Sequence, residues 1–96
     1  MGKVASMGST VVAAQNQVYR EIGGEVAILD LRGGTYYGLD AVGARVWELV
    51  QKPREIGEVR DALLAEYEVD AERCERDLLD LIRALEGEGL VEVTDL

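Results

Sequence analysis

From residue 9 to residue 39 apolar and polar positions alternate with a period close to two. Four runs stand out, Thr10-Val11-Val12-Ala13, Val18 to Ile22, Glu25 to Leu31 and Thr35 to Leu39, all rich in β-branched or aromatic residues. Gly23-Gly24 and Arg32-Gly33-Gly34 punctuate the later runs, because glycine reaches the positive φ that tight hairpin turns require. The pattern predicts an N-terminal antiparallel meander.

At Asp40 the period lengthens to about 3.6. Asp40 is a good N-cap, since its carboxylate can accept unpaired backbone N–H groups of the first turn. Helix one is expected to bury Val42, Val46, Leu49 and Val50, with Trp47 beside them, and to stop before Pro53. Helix two runs from about Glu55 to Tyr67, carrying Ile56, Val59, Leu63, Leu64 and Tyr67 at helical spacing. Asp70 caps a longer third helix whose core arc holds Ala71, Cys74, Leu78, Leu81, Ile82 and Leu85, ending near Gly87 and Gly89. Leu90 to Val93 alternates like a last short strand. Residues 1–8, rich in Gly, Ser and Ala, are expected to form a flexible N-terminal tail, leaving one domain over residues 9–96. The predicted fold class is α+β and winged helix-turn-helix-like: an N-terminal antiparallel β meander followed by three helices.

Composition then removes whole classes of function. The 96 residues include no histidine and one cysteine, so neither Ser/His/Asp nor Cys/His catalysis is available, and neither is a thiolate zinc site or an internal disulfide. Cys74 is most simply a core residue of a reduced, cytoplasmic protein. No apolar run reaches the ~18 residues of a membrane span, and no secretory signal is expected. Charge is uneven: residues 41–96 carry 15 of the 19 acids, and the net charge is −9. A helix-turn-helix outline suggests DNA binding, but helix three sets Glu72, Glu75, Asp77, Asp80 and Glu86 against three arginines, the wrong balance for phosphates. The acids have no EF-hand spacing and the glycines no phosphate-loop spacing, so neither metal nor cofactor is expected. Glu72 and Arg76, four apart, are expected to pair on the solvated face.

What remains is a binding surface. A meander ending in Thr35-Tyr36-Tyr37-Gly38-Leu39 leaves a sheet edge with neither charge nor proline to blunt it, open to an incoming strand or covered by a helix. On helix three, Leu81 sits at the rim of the core arc, flanked by Arg73, Arg76, Asp77, Asp80 and Ala84; Glu75, Leu79 and Glu86 form the opposite rim. Val26 and Ile28 share one strand face and would serve as a pocket floor or as ordinary core.

The stretch from Ile28 to Val50, with Thr35-Tyr36-Tyr37-Gly38-Leu39-Asp40 and Val46-Trp47-Glu48-Leu49 within it, continues through Tyr67-Glu68-Val69, the Asp77 to Leu85 helix and Gly89-Leu90. Together these positions resemble the PqqD-like family over roughly residues 10–93. The Tyr-Tyr-Gly-Leu-Asp and Val-Trp-Glu-Leu segments look most like stand-alone members of lasso-peptide pathways. The resemblance implies a non-catalytic RiPP recognition element, which binds the leader of a ribosomally made precursor peptide as an added strand and clamps it against helix three. Its implied partners are the precursor peptide, a separate leader peptidase of cysteine-protease type and a macrolactam cyclase, with no nucleic acid, membrane or cofactor. The implied contacts are Val26, Ile28, Thr35, Tyr36, Tyr37, Gly38 and Leu39 on the sheet, paired through the backbone of Tyr36 and Tyr37, and Arg73, Arg76, Asp77, Asp80, Leu81 and Ala84 on helix three. A peptide chaperone of pyrroloquinoline quinone biosynthesis is the alternative within the family. An acidic winged-helix regulator that binds a protein partner is the alternative of another class.

Overall fold

The computed structural model describes residues 5–95. Nine elements follow in order: β1 (Thr10–Ala13), β2 (Gln17–Ile22), β3 (Glu25–Asp30), β4 (Tyr36–Leu39), α1 (Ala41–Leu49), β5 (Arg54–Glu55), α2 (Ile56–Glu66), α3 (Ala71–Gly87) and β6 (Val91–Thr94). The α+β class and the three helices are as the sequence pattern predicts. The strands, however, divide between two antiparallel three-stranded sheets, β2-β3-β4 and β5-β1-β6.

The meander is therefore three strands long, not four. β1 pairs with the C-terminal strand, Val11 opposite Val93 and Ala13 opposite Val91, and with the short β5. Backbone bonds from Ala13 N–H to the Val50 carbonyl and from Ala14 N–H to the Leu90 carbonyl lead the chain away from β2. Alternation makes a strand but does not choose its partner, and here the C-terminal half supplies it.

Between β2 and β3 the two-residue turn closes as expected: Ile22 stands opposite Glu25, and Gly23 and Gly24 both have positive φ, 61° and 84°. Asp40 caps α1 by accepting the Gly43 N–H at 2.8 Å, and Asp70 caps α3 by accepting the Arg73 N–H at 3.0 Å. Arg54 donates to the carbonyl of Leu49 at 2.7 Å, satisfying an acceptor at the end of α1.

Of the expected N-terminal tail, residues 1–4 lie outside the described residues, and residues 5–8 are docked. Ala5 is buried, the Met7 carbonyl accepts the Gly57 N–H at 2.8 Å, and the Ser9 carbonyl accepts that of Ile56 at 2.9 Å. These carbonyls satisfy two donors in the first turn of α2 that the helix cannot satisfy itself. Ser9, fully buried, donates its hydroxyl to Asp95.

The core runs between the sheets and the helices: Val11, Val26, Ile28, Val46, Trp47, Val50, Ile56, Val59, Ile82 and Leu85 are almost wholly shielded. Trp47 meets the ring of Tyr19 edge to face, centroids 5.7 Å apart at 83°. Two residues expected inside are outside. Val42 is exposed on the first turn of α1, and Ala71 is exposed on the first turn of α3. No described helix is long and apolar enough to cross a membrane.

Candidate functional site

β4 is an edge strand, bonded on one side to β3 alone. The Asp30 N–H donates to the Thr35 carbonyl at 2.9 Å, which sets the phase of the β3–β4 ladder. With Ile28 opposite Tyr37 and Val26 opposite Leu39, alternation turns the backbone groups of Tyr37 and Leu39 toward β3. Those of Tyr36 and Gly38 point to the open side. The strand thus offers two N–H and two C=O groups, through Tyr36 and Gly38 instead of the expected Tyr36 and Tyr37.

Beside this edge lies a cleft of about 650 Å³. One wall is the strand and the start of α1, with Tyr37, Gly38, Leu39, Asp40, Val42, Gly43 and Val46. The facing wall is one stripe of α3: Asp70, Arg73, Cys74, Asp77, Leu78 and Leu81. Leu63, Tyr67, Glu68 and Val69, at the end of α2 and in the connection to α3, complete the lining. Gly43 permits the close approach of α1 to β4, since a Cβ there would stand 3.2 Å from two side-chain atoms of Leu39.

The structure therefore chooses between the two rims of helix three. The rim with Arg73, Asp77 and Leu81 faces the edge strand; on the other, Glu75 is engaged by Arg60 at 2.6 Å and Leu79 packs against the core. Tyr37, Gly38, Leu39, Arg73, Asp77 and Leu81 are brought together in the cleft. Arg76, Asp80 and Ala84 are exposed outside it. Val26 and Ile28 are core residues on β3, cross-strand partners of Leu39 and Tyr37, not cleft lining. Thr35 precedes the strand, and Tyr36, 71% exposed, lies on the face of the sheet opposite the core.

Sequence reading missed Val42, Tyr67, Val69 and Cys74 as lining residues, having assigned Val42, Tyr67 and Cys74 to apolar stripes. Only Val42's place in the first turn of α1 could have set it apart. Arg73 and Asp77 approach to 3.6 Å with both side chains mostly exposed, a weak contact. The expected Glu72–Arg76 pair is not among the ion pairs of the described residues. Burial raises the Cys74 thiol above its ordinary pKa, so it sits in the cleft wall in its neutral form. Among the described residues no group of three or more Cys, Asp or Glu is placed to hold a metal ion. The arrangement is suited to grip an extended chain: unpaired backbone groups on one side, an apolar floor, and a helical wall opposite.

Comparison with known proteins identifies the family and the fold. The family described as Coenzyme PQQ synthesis protein D (PqqD) matches residues 25–91. A solved structure of TbiB1 in complex with the TbiA(beta) leader peptide superposes with a TM-score of 0.79 at 44% sequence identity, covering 84% of this chain and 94% of that one. A lasso peptide synthetase B1 complexed with the leader peptide shares the fold, with a TM-score of 0.76 at 23% identity over 85% of this chain and 96% of that one. No curated protein matches the chain.

Proposed function

The chain belongs to the PqqD family, and from that premise we propose that it is a non-catalytic recognition element for the leader segment of a ribosomally made precursor peptide, most specifically a lasso-peptide precursor. The leader adds as a strand to β4 through Tyr36 and Gly38, is clamped against α3, and is presented to a separate peptidase and cyclase. The observation that carries the reading is the cleft itself, in which an unpaired strand edge and the inward stripe of α3 face each other. The TbiB1 structure, solved with a leader peptide at 44% identity to this chain, supports it.

Main-chain bonding at an edge holds a peptide without reading its sequence, while pockets for alternate side chains select among peptides. A disordered leader also gives up part of its binding energy to ordering, which suits capture followed by release. A peptide chaperone of pyrroloquinoline quinone synthesis would use the same surface. The resemblance of the Tyr-Tyr-Gly-Leu-Asp and Val-Trp-Glu-Leu segments to stand-alone lasso-pathway members favours the first reading.

A fluorescence-polarisation titration tests the proposal, using the leader of the precursor peptide encoded beside this chain's gene. A Kd on the order of 1 μM or tighter, with none for a scrambled peptide, is the expected result. Absence of binding by well-folded protein would overturn it.

A further inference from the structure

The cleft is far from neutral in charge. Of its five ionised lining residues, Asp40, Glu68, Asp70 and Asp77 are acidic and Arg73 alone is basic. Arg73 stands 3.6 Å from Asp77, a weak contact between exposed side chains, so the lining keeps an excess of three carboxylates over cations. Asp40 and Asp70 each give an oxygen to a helix N-terminal N–H and keep the other free, and Glu68 has no ion-pair or hydrogen-bond partner among the described residues. The apolar part of the lining, Leu78, Leu81 and Val42 with the rings of Tyr37 and Tyr67, lies among these carboxylates.

We infer that the strand this cleft accepts is a cationic one, with lysine or arginine side chains two residues away from its apolar anchors, and that the carboxylates of Asp77 and Glu68 select for them. The inference rests on the strand-addition reading and names the chemistry of its ligand. A strand added to β4 sends every second side chain to the cleft side, the side of Tyr37 and Leu39. Those positions meet apolar surface interrupted by carboxylates. An acidic peptide would bring like charges together there, and a wholly apolar one would desolvate the carboxylates without a partner. The net charge of −9 acts in the same direction at longer range, drawing cationic peptides toward the protein. Such partly exposed pairs contribute more to choice of partner and association rate than to affinity.

The probe is a displayed library of random short peptides, selected on the intact protein and in parallel on a Gly38→Pro variant that blocks the edge. Selection should enrich peptides in which every second residue, the cleft-facing set, is apolar or basic, with Lys or Arg two residues from an apolar anchor. On a Glu68→Lys, Asp77→Lys double variant, the enriched charge should turn acidic, and peptides selected on the native protein should bind about tenfold more weakly. Both substituted side chains are exposed, so circular dichroism of the variant should be unchanged. Enriched peptides with apolar alternation but no charge bias, or with the same bias on the double variant, would overturn the inference and leave strand addition standing. A selection that yields the same peptides on the Gly38→Pro variant would overturn strand addition, and this inference with it.

Discussion

Arg45 on α1 and Glu66 at the end of α2 form a two-point ion pair, with the guanidinium Nε and Nη2 each 2.8 Å from one carboxylate oxygen. The next residue is Tyr67, in the cleft lining, so this pair ties the end of α2 to the helix that leads out of the edge strand. Two parallel charge-assisted bonds fix orientation as well as distance.

A pH dependence follows from that pair. The hydrogen bond from Arg45 holds the Glu66 carboxyl below its ordinary value of 4.5. A group with a lowered folded-state pKa contributes its full stability above the unfolded value and loses it as pH falls through the folded one. Asp30, lowered chiefly by the backbone N–H of Arg32, acts the same way from its ordinary value of 3.8 downward. Thermal unfolding followed from about pH 5 to pH 3 should show a falling midpoint, and Glu66→Gln should make that fall shallower. An unchanged slope in the variant would mean that the pair is equally satisfied in the unfolded chain.

Gly38→Pro separates binding from folding. The Gly38 N–H points away from β3, so proline there removes no ladder bond, and proline is tolerated at sheet edges. Its ring would occupy the position of an incoming carbonyl. Leader affinity should fall about tenfold or more, one lost bond of roughly 1 kcal/mol plus the clash, while the urea midpoint moves little. Equal affinity for wild type and variant would exclude this edge as the seat of the peptide.

Ile28 and Val42 should behave as opposites. Ile28 is fully buried on β3 opposite Tyr37, so Ile28→Ala should cost about 2–5 kcal/mol in denaturant unfolding, with leader affinity preserved in the folded fraction. Val42, 44% exposed and in the cleft lining, should lose affinity on replacement by alanine with little change in stability. Binding loss from Ile28→Ala without loss of stability would return Ile28 to the pocket floor that its strand position first suggested.

The helices were legible because their signals are local: Asp40 and Asp70 as caps, Pro53 and the late glycines as stops, and apolar spacing between. The hairpin at Gly23-Gly24 was legible for the same reason. Pairing of β1 with β6 was not, because residues more than 75 positions apart meet there and neither strand carries a mark of the other. The cleft was half legible. One 3.6-residue period placed Arg73, Asp77 and Leu81 on one rim of α3, but choosing that rim required knowing where the sheet lies, which is a matter of tertiary packing. Val42 was misplaced because a helical stripe extends to the first turn whether or not anything stands opposite to cover it.

Cys74 reports on the cleft from inside. Its side chain is buried in the wall formed by α3, and burial raises the thiol above its ordinary pKa of 9.0. The thiolate is the species that alkylating agents attack, so near neutral pH iodoacetamide should modify Cys74 more slowly than the unfolded chain, with a rate that climbs as pH rises toward the shifted pKa. A leader seated between β4 and α3 covers the same wall, so saturating peptide should slow the reaction several-fold further. A scrambled peptide should leave the rate where it was. Because opening of the fold would also expose the thiol, the comparison is made at a denaturant-free condition and repeated with Ile28→Ala, which should speed alkylation in free and bound protein alike. Protection by the leader that survives Gly38→Pro would mean that the peptide reaches α3 without using the strand edge, and no change in rate on saturation would place the peptide outside this cleft.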